Sequence, residues 1–259
     1  MRGPNLALLV LGFAMLWLPL GQHDFLVVHW MKIGTFMAPF LLFVVFALKQ
    51  DTMSKSDPQL LSLLMLVAYI AHQFEEHWID LTGEAYAFSP YVNALLQSAS
   101  GAPETTVILS PLAILVINTS LVWLVGFIAV LLSPHRFFPY LCMAAIILVN
   151  AVSHILAAIL TFSYNPGVAT SLLVFLPMAW CAFCSVPQAS PGVKFASIAW
   201  AVFAHIVMIG GALGANRFEL FPELVYFAML VAISIAPAFL FPAIKPREQE
   251  DPARLAHAD

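Results

Sequence analysis

One long apolar run contains ionisable residues whose types and spacing suit a metal site. The run begins near Leu60, and its last third reads His72-Gln-Phe-Glu75-Glu76-His77. On an α-helix, with about 100° per residue, Glu75 and Glu76 lie about 60° and about 40° to either side of His72, so these three side chains share one face. An imidazole and two carboxylates can supply the mixed nitrogen and oxygen ligands of a divalent metal ion. His77 lies about 140° away from His72 and is expected to face elsewhere.

The alternative for this stretch is a helix end at the membrane surface, where ionisable side chains are simply hydrated. That alternative fits His77, Trp78 and Asp80, which are the last polar residues of the run. His72 and the two glutamates lie deeper in a segment long enough to cross a bilayer, where ionisable groups are costly and usually functional. The sequence therefore predicts that His72 and both glutamates are metal ligands, with Glu75 also the candidate general base.

The composition of the whole chain is that of a membrane protein. Of its 259 residues, 62% are hydrophobic and only 9% are charged, whereas a soluble domain carries about a quarter charged residues. The net charge of −4 and the ten Lys and Arg residues exclude a large nucleic-acid-binding surface. We therefore predict an all-α, polytopic transmembrane helical bundle whose partner is the lipid bilayer, and we expect a bacterial inner membrane as its location.

Apolar runs separated by polar turns predict about eight spans. They cover residues 6–20, 25–48, 59–80, 107–132, 138–162, 168–185, 194–213 and 219–243. Cleavage of the first run as a signal peptide would leave seven spans, but no small-residue cleavage motif follows it, so we expect it to be retained. The spans form one domain over residues 1–244, and residues 245–259 are expected to be a polar cytoplasmic tail.

The longest connection, residues 81–106, is expected to form a cap and not a span. Pro90 and Pro103 preclude one continuous helix, and the aromatic residues between them suit a segment that lies on the surface or re-enters the membrane. The Lys and Arg residues of the loops fall almost entirely on the side that carries both termini. The positive-inside rule then places both termini in the cytoplasm.

Three intramembrane histidines on three different spans lie at one depth. His72, His154 and His205 are each about eight residues from the outer end of their span, which corresponds to about 12 Å at 1.5 Å per residue. Equal depth predicts that these histidines and Glu76 converge within about 5–6 Å of one point and bind one Zn or Fe ion, or a close pair. Glu75 is then either a further ligand or a hydrogen-bond partner of a ligand imidazole.

Further polar residues are expected in the same pocket. Asn150 lies one turn before His154 and on its face, and Asn118 lies somewhat deeper in the fourth span. His29 and Lys32 approach from the second span. Together these residues predict a polar pocket in the outer half of the bundle that opens toward the cap.

Three motifs in this part of the chain resemble those of the HXXEE family of membrane proteins of unknown function. They occur in order within about residues 60–177 and read His72-x-x-Glu75-Glu76, Asn150-x3-His154 and Tyr164-x-Pro166-Gly167. The resemblance implies that these residues occupy motif positions and points to metal binding or catalysis there. By its own chemistry, the segment from Tyr164 to Gly167 is expected to be a tight turn at the mouth of the site, because proline fixes φ and glycine permits a positive φ. Tyr164 is counted among the pocket residues.

Three functions fit these residues, in the following order of preference. The first is a membrane metalloenzyme in which zinc hydrolyses, or iron oxidises, a lipid-like or small apolar substrate. The second is a proton- or ion-coupled transporter that uses the same His and Glu cluster as a relay, although the chain shows no evident inverted repeat. The third is a haem-binding membrane protein with two of the equal-depth histidines as axial ligands. The sequence contains neither an HExxH zinc-protease motif nor a Gly-rich phosphate loop.

Overall fold

The computed structural model describes residues 24–49 and 57–240, and all the regular secondary structure in these residues is helical. In chain order the helices are α1 Asp24–Lys49, α2 Pro58–His77, α3 Phe88–Ser100, α4 Pro111–Leu132, α5 Phe137–Thr161, α6 Val168–Cys184, α7 Pro191–Arg217 and α8 Glu223–Ala238. They confirm the all-α class and follow the predicted second to eighth spans, with α3 inside the expected cap. The predicted first span, residues 6–20, and the predicted tail, residues 245–259, lie outside the described residues.

Four of these helices are long and apolar enough to cross a membrane. They are Asp24–Phe43 within α1, then Pro111–Leu132, Phe137–Thr161 and Pro191–Arg217. Two further apolar helices in the described residues, Val168–Cys184 and Glu223–Ala238, are shorter than this length. The helices therefore support an integral membrane protein, while the total of eight spans and the orientation of the termini stay predictions.

Helix α2 carries the central motif and lies inside the bundle. It begins at Pro58, where the Asp57 carboxylate accepts a hydrogen bond from the Gln59 N–H at 2.8 Å and caps the helix. The polar residues of its last two turns are buried, with His72 at 0% and Glu76 at 4% exposure. Helices α1, α4 and α5 pack against α2, so its ionisable residues meet polar partners from other helices instead of lipid.

Two helices near the end of α2 contain π-helical turns. The π-helical residues are Asn118–Leu124 in α4 and Ser171–Phe175 in α6. Such turns occur frequently at functional sites. Asn118 opens the first stretch and contacts His77, while Thr170 directly precedes the second and contacts His72. Apolar periodicity does not predict these turns, because both segments remain hydrophobic and helical.

The expected cap, residues 81–106, contains the short helix α3, which ends at Gly101 with a left-handed φ of 64°. Asn93 fastens the cap to the segment that leads into α4. Its Oδ1 accepts hydrogen bonds from the backbone N–H groups of Ile108 and Leu109, both at 2.9 Å, and its Nδ2 donates to the Leu109 carbonyl at 3.0 Å. The cap thereby holds aromatic side chains of α3 against the cavity described below.

Candidate metal centre

Three side chains from two helices converge at the buried end of α2. His72 Nε2 lies 3.4 Å from one carboxylate oxygen of Glu76, and His154 Nε2 lies 3.1 Å from the other. One ligand atom from each of the three residues lies within 4.8 Å of the other two. His72 and Glu76 are one turn apart on α2, as the sequence predicts, and α5 brings His154 to them. The structure thus assembles a group of two imidazoles and one carboxylate.

Hydrogen bonds fix the tautomer of His72. The Thr170 hydroxyl lies 2.7 Å from His72 Nδ1 and donates to a carboxylate oxygen of Glu75 at 2.5 Å. Because that hydroxyl has a single proton, Nδ1–H of the neutral imidazole must donate to Thr170, which leaves a lone pair on Nε2. Among the described residues, this buried Nε2 has no hydrogen-bond partner.

The tautomer of His154 is fixed in the same way. Asn165, which is fully buried, donates from Nδ2 to the His154 carbonyl at 3.0 Å, so its Oδ1 faces His154 Nδ1 at 2.7 Å. An amide oxygen only accepts, and Nδ1 of the neutral imidazole therefore carries the proton. The Nε2 lone pair of His154 then points at Glu76, as does that of His72.

This donor set fits a divalent metal ion. Two nitrogen lone pairs and a carboxylate facing one another in a buried site repel unless a proton or a metal cation lies among them. Two histidines and one carboxylate form the protein ligand set of catalytic zinc sites and of non-haem iron sites, both of which keep further positions open. His72, Glu76 and His154 are therefore the residues that would hold the ion.

Gly167 forms the floor of this group. Its φ is 96°, as expected for the turn between α5 and α6. A Cβ atom at this position would lie 2.7 Å from His72 Cε1, 2.8 Å from His154 Cε1 and 3.0 Å from Glu76 Cγ. The turn therefore packs directly against all three ligands, instead of shaping only the mouth of the site.

Glu75 lies behind the three ligands and is held by its own hydrogen bonds. It accepts from the Tyr164 hydroxyl at 3.0 Å and from the backbone N–H groups of Ala169 and Thr170 at 3.2 and 2.8 Å. Burial raises the pKa of the Tyr164 hydroxyl, and the neighbouring Glu75 carboxylate raises it further, so Tyr164 stays protonated as a donor. Glu75 touches the Thr170 hydroxyl that accepts from His72, an arrangement close to the expected partnership with a ligand imidazole.

The prediction that His77 faces elsewhere is wrong. Its Nε2 lies 3.4 Å from Glu76 and 3.3 Å from the Asn118 amide nitrogen, and its side chain is 5% exposed. Asn118 Oδ1 accepts from Gln73, whose own Oε1 accepts from the Trp123 indole at 3.0 Å. Helix α4 thus covers the end of α2 that a hydrated helix terminus would have exposed.

The remaining residues assigned to that hydrated end are not uniformly exposed either. Asp80 is 8% exposed, and its Oδ1 accepts hydrogen bonds from the backbone N–H groups of Thr82 and Glu84 at 2.8 and 2.9 Å. Trp78 is half-buried, and the Lys32 ammonium lies 5.2 Å from the centre of its ring. The end of α2 is therefore enclosed by its own loop and by α1.

A largely apolar cavity of about 240 Å³ adjoins the ligands. Its polar lining residues include Glu76, His77, His154, Asn118, Asn150 and Asn165. Its walls come from α3, α4, α5, α7 and the segment that leads into α4. They consist mainly of aliphatic and aromatic side chains: Phe88, Val92, Leu95, Leu109, Ile114, Ile117, Leu121, Val122, Ile146, Met208 and Ile209. Such a cavity suits an apolar molecule that presents a polar group to the ligands.

His205 lines this cavity but lies outside the three-residue group. Its Nδ1 is bonded to the Ala201 carbonyl of its own helix at 2.8 Å. Helix α7 packs against α5, so equal depth brings His205 to the cavity wall without making it the neighbour of His72.

The two residues expected from the second span lie apart from the cavity lining. His29 Nδ1 is 2.7 Å from the Tyr86 hydroxyl. Lys32 lies over the rings of Trp78 and Tyr86, 5.2 and 5.9 Å from their centres. Both therefore contact the loop that follows α2 and not the ligands.

Thr170, Asn165 and Gln73 are the site residues that sequence reasoning missed. Gln73 lies inside the first motif and Asn165 inside the third, so their positions were a signal that could have drawn attention to them. Thr170 gave no signal, because a threonine near the start of an apolar helix is ordinary.

An all-helical bundle with four helices of membrane length, and with two histidines and a glutamate buried beside an apolar cavity, supports the following class: an integral membrane protein with a candidate metal centre. The family described as "Protein of unknown function with HXXEE motif" has a model that matches residues 63–182. That segment contains all three motifs and all three candidate ligands, so the HXXEE resemblance is confirmed over it. No curated protein and no solved structure matches the chain.

Proposed function

We propose that this protein is an integral-membrane metalloenzyme in which His72, Glu76 and His154 hold one divalent ion, zinc or iron, and act on a lipid-like or small apolar substrate. The observation that carries the proposal is the convergence of two imidazole ring nitrogens on one buried carboxylate. The largely apolar cavity that Glu76 and His154 help to line supports a substrate with a long hydrocarbon part.

A divalent ion bound there supplies Lewis acidity toward a carbonyl or ester oxygen, or redox chemistry if the ion is iron. The apolar walls bind the hydrocarbon part of the substrate and exclude water. Because hydrogen bonds surround Glu75, we assign it to orient His72 through Thr170. His77 lines the cavity beside Glu76 and is the residue placed to accept a proton from the reacting group.

The transporter alternative draws on one observation. Hydrogen bonds run from Tyr164 through Glu75 and Thr170 to His72, and His72 faces Glu76. Such a chain of polar groups could also pass a proton. The haem alternative is less favoured, because Glu76 contacts both imidazole nitrogens that would have to bind the iron.

Elemental analysis of the detergent-purified protein, combined with its visible spectrum, tests the proposal. We expect about one equivalent of zinc or iron per chain and no Soret band. Zinc favours hydrolysis and iron favours oxidation. Protein that is folded but free of any metal, even after incubation with zinc or iron salts, would contradict the enzyme and favour the transporter, and a Soret band would mean haem.

Thr170→Val tests how His72 is held. The substitution keeps the shape of the side chain and removes the hydroxyl that links Glu75 to His72. We expect the metal dissociation constant to rise about 10- to 100-fold, the usual effect of losing a group that orients a metal ligand. Competition with a chromophoric chelator measures this constant, and the exposed Thr161→Val on α5 is the matched control.

Glu75→Gln distinguishes the two roles considered for Glu75. A residue that orients His72 should weaken metal binding on substitution, as Thr170→Val does. A general base should instead leave metal binding intact while turnover falls by about 10²- to 10⁴-fold. The second result would return Glu75 to the catalytic role that the sequence predicts.

A further inference from the structure

A polar pair lies one helical turn away from the candidate ligands and faces the same cavity. Asn150 precedes His154 by four residues on α5, and Tyr69 precedes His72 by three residues on α2. The Asn150 Nδ2 group donates to the Tyr69 hydroxyl at 2.9 Å, and both residues line the cavity. One turn of helix separates this pair from the ligands by about 5–6 Å.

Each member of the pair has unused hydrogen-bonding capacity. Asn150 Oδ1 is buried and accepts no hydrogen bond from the described part of the chain. The Tyr69 oxygen accepts from Asn150, and none of the described residues accepts the phenolic proton in turn. The amides of Gln73, Asn118 and Asn165, by contrast, use both their donor and their acceptor groups. The pair therefore offers one acceptor and one donor to whatever occupies the cavity.

The mouth of the cavity indicates where that occupant comes from. Two of its lining residues, Leu95 on α3 and Ser153 on α5, are exposed on the outside of the bundle. Ser153 lies in the middle of a membrane-length helix, between the exposed apolar residues Val152 and Leu156. A molecule dissolved in the bilayer can therefore reach the cavity from the side.

We propose that Asn150 and Tyr69 recognise a hydroxyl group of the substrate, and that the substrate is a fatty acyl ester of a short polyol. This inference rests on the proposed function and deepens it. A hydroxyl donates to Asn150 Oδ1 and accepts from Tyr69, so one group completes both partners. The separation of about 5–6 Å from the ligand layer suits a polyol hydroxyl whose oxygen is about four or five bonds from the ester carbonyl carbon. The apolar walls then surround the acyl chain.

The reaction on such a substrate consumes one water molecule. The water oxygen bonds to the acyl carbon, the bond between the acyl carbon and the ester oxygen breaks, and the polyol leaves with the proton. A free fatty acid and the polyol are the products. Recognition of the hydroxyl one turn from the ligands sets the ester carbonyl beside Glu76 and His154.

Three ether-linked ligands test the proposal without turnover, because an ether is not hydrolysed. They are 1-O-dodecylglycerol, its dimethoxy analogue and dodecyl propyl ether, each added to the purified protein in phosphatidylcholine nanodiscs. Apparent affinities follow from the dependence of the thermal unfolding midpoint on ligand content. We expect 1-O-dodecylglycerol to bind about tenfold more tightly than the other two, the effect of about one paired polar group.

Two variants test whether the Tyr69 hydroxyl causes the tighter binding of 1-O-dodecylglycerol. Tyr69→Phe keeps the ring and removes the donor, so the difference between the three ligands should shrink to about twofold or less. Tyr140→Phe removes a buried phenol hydroxyl that bonds to Ala182 and Ser185 away from the cavity, and it should keep the wild-type preference. If Tyr69→Phe does not fold, the comparison of the three ligands on the wild-type protein still decides the matter.

The outcomes separate this inference from the proposed function. Equal binding of all three ligands, no saturable binding of any, or binding of the dimethoxy analogue as tight as that of the alcohol would each overturn the hydroxyl site. Metal content is measured on the same samples. A metal-free protein that prefers the alcohol would contradict the metalloenzyme and support the hydroxyl site. A metal-loaded protein without that preference would support the metal centre and contradict the hydroxyl site.

Discussion

Replacement of His72 or His154 by alanine is expected to abolish stoichiometric metal binding. Each imidazole supplies one of the three ligand atoms that lie within 4.8 Å of one another. The loss of one should lower the affinity by more than the factor of about 10–100 that follows from losing a group that only supports a ligand. Inductively coupled plasma mass spectrometry gives the metal per chain, and size-exclusion chromatography in detergent shows whether each variant is folded.

His205→Ala is the matched control for these two variants. His205 lines the same cavity but lies outside the group of three, and its Nδ1 is bonded to the Ala201 carbonyl. We expect wild-type metal content in this variant. Equal metal loss in His205→Ala and His72→Ala would make His205 a ligand, as equal depth predicts. Unchanged metal in His72→Ala and His154→Ala would refute the centre.

Gly167→Ala should remove the metal and also destabilise the fold. The added Cβ atom would lie 2.7 Å from His72, 2.8 Å from His154 and 3.0 Å from Glu76, so the ligands would have to move apart. The φ of 96° adds backbone strain for any residue with a Cβ atom, of about 1–3 kcal/mol. We expect a lower thermal midpoint and less than about a tenth of the wild-type metal content, beyond the effect of losing an orienting group. Differential scanning fluorimetry and elemental analysis on the same samples measure both effects.

Gly83→Ala separates the effect of backbone strain from the effect of steric overlap between the added Cβ atom and the ligands. Gly83 has a similar φ of 89°, but a Cβ atom there would meet no other atom within 4 Å. This variant should therefore lose some stability and keep its metal. If Gly167→Ala keeps its metal to the same degree, the close contact between the turn and the ligands is not required for binding.

The positions of the helices could be predicted because membrane-length helices require long runs of apolar residues, which polar turns separate in the sequence. The predicted fifth span, residues 138–162, agrees with the observed helix Phe137–Thr161 to within one residue at each end. The pairing of His72 with Glu76 followed from helix geometry, since residues four apart lie on one face. Depth along the helix then indicated His154 correctly as their partner from another helix.

The errors arose where the decisive contact depends on lateral packing or on side-chain reach. The angular rule gives the direction of Cβ atoms, but the long side chains of Glu76 and His77 bring their polar ends to 3.4 Å. Depth does not report lateral position, and α7 packs against α5. The Thr170 contact joins residues 98 positions apart in the chain, next to a π-helical turn that periodicity does not reveal.

Helix α7 lies outside the segment that matches the family, residues 63–182, yet it builds one wall of the cavity. The three candidate ligands all come from α2 and α5, which that segment contains apart from residues 58–62 of α2. The candidate ligands and the part of the cavity wall that α7 supplies are therefore encoded in separate stretches of sequence. In the proposed enzyme, exchanging Met208 or Ile209 for smaller or larger side chains would alter the length of the acyl chain that fits the cavity while every candidate ligand stays in place.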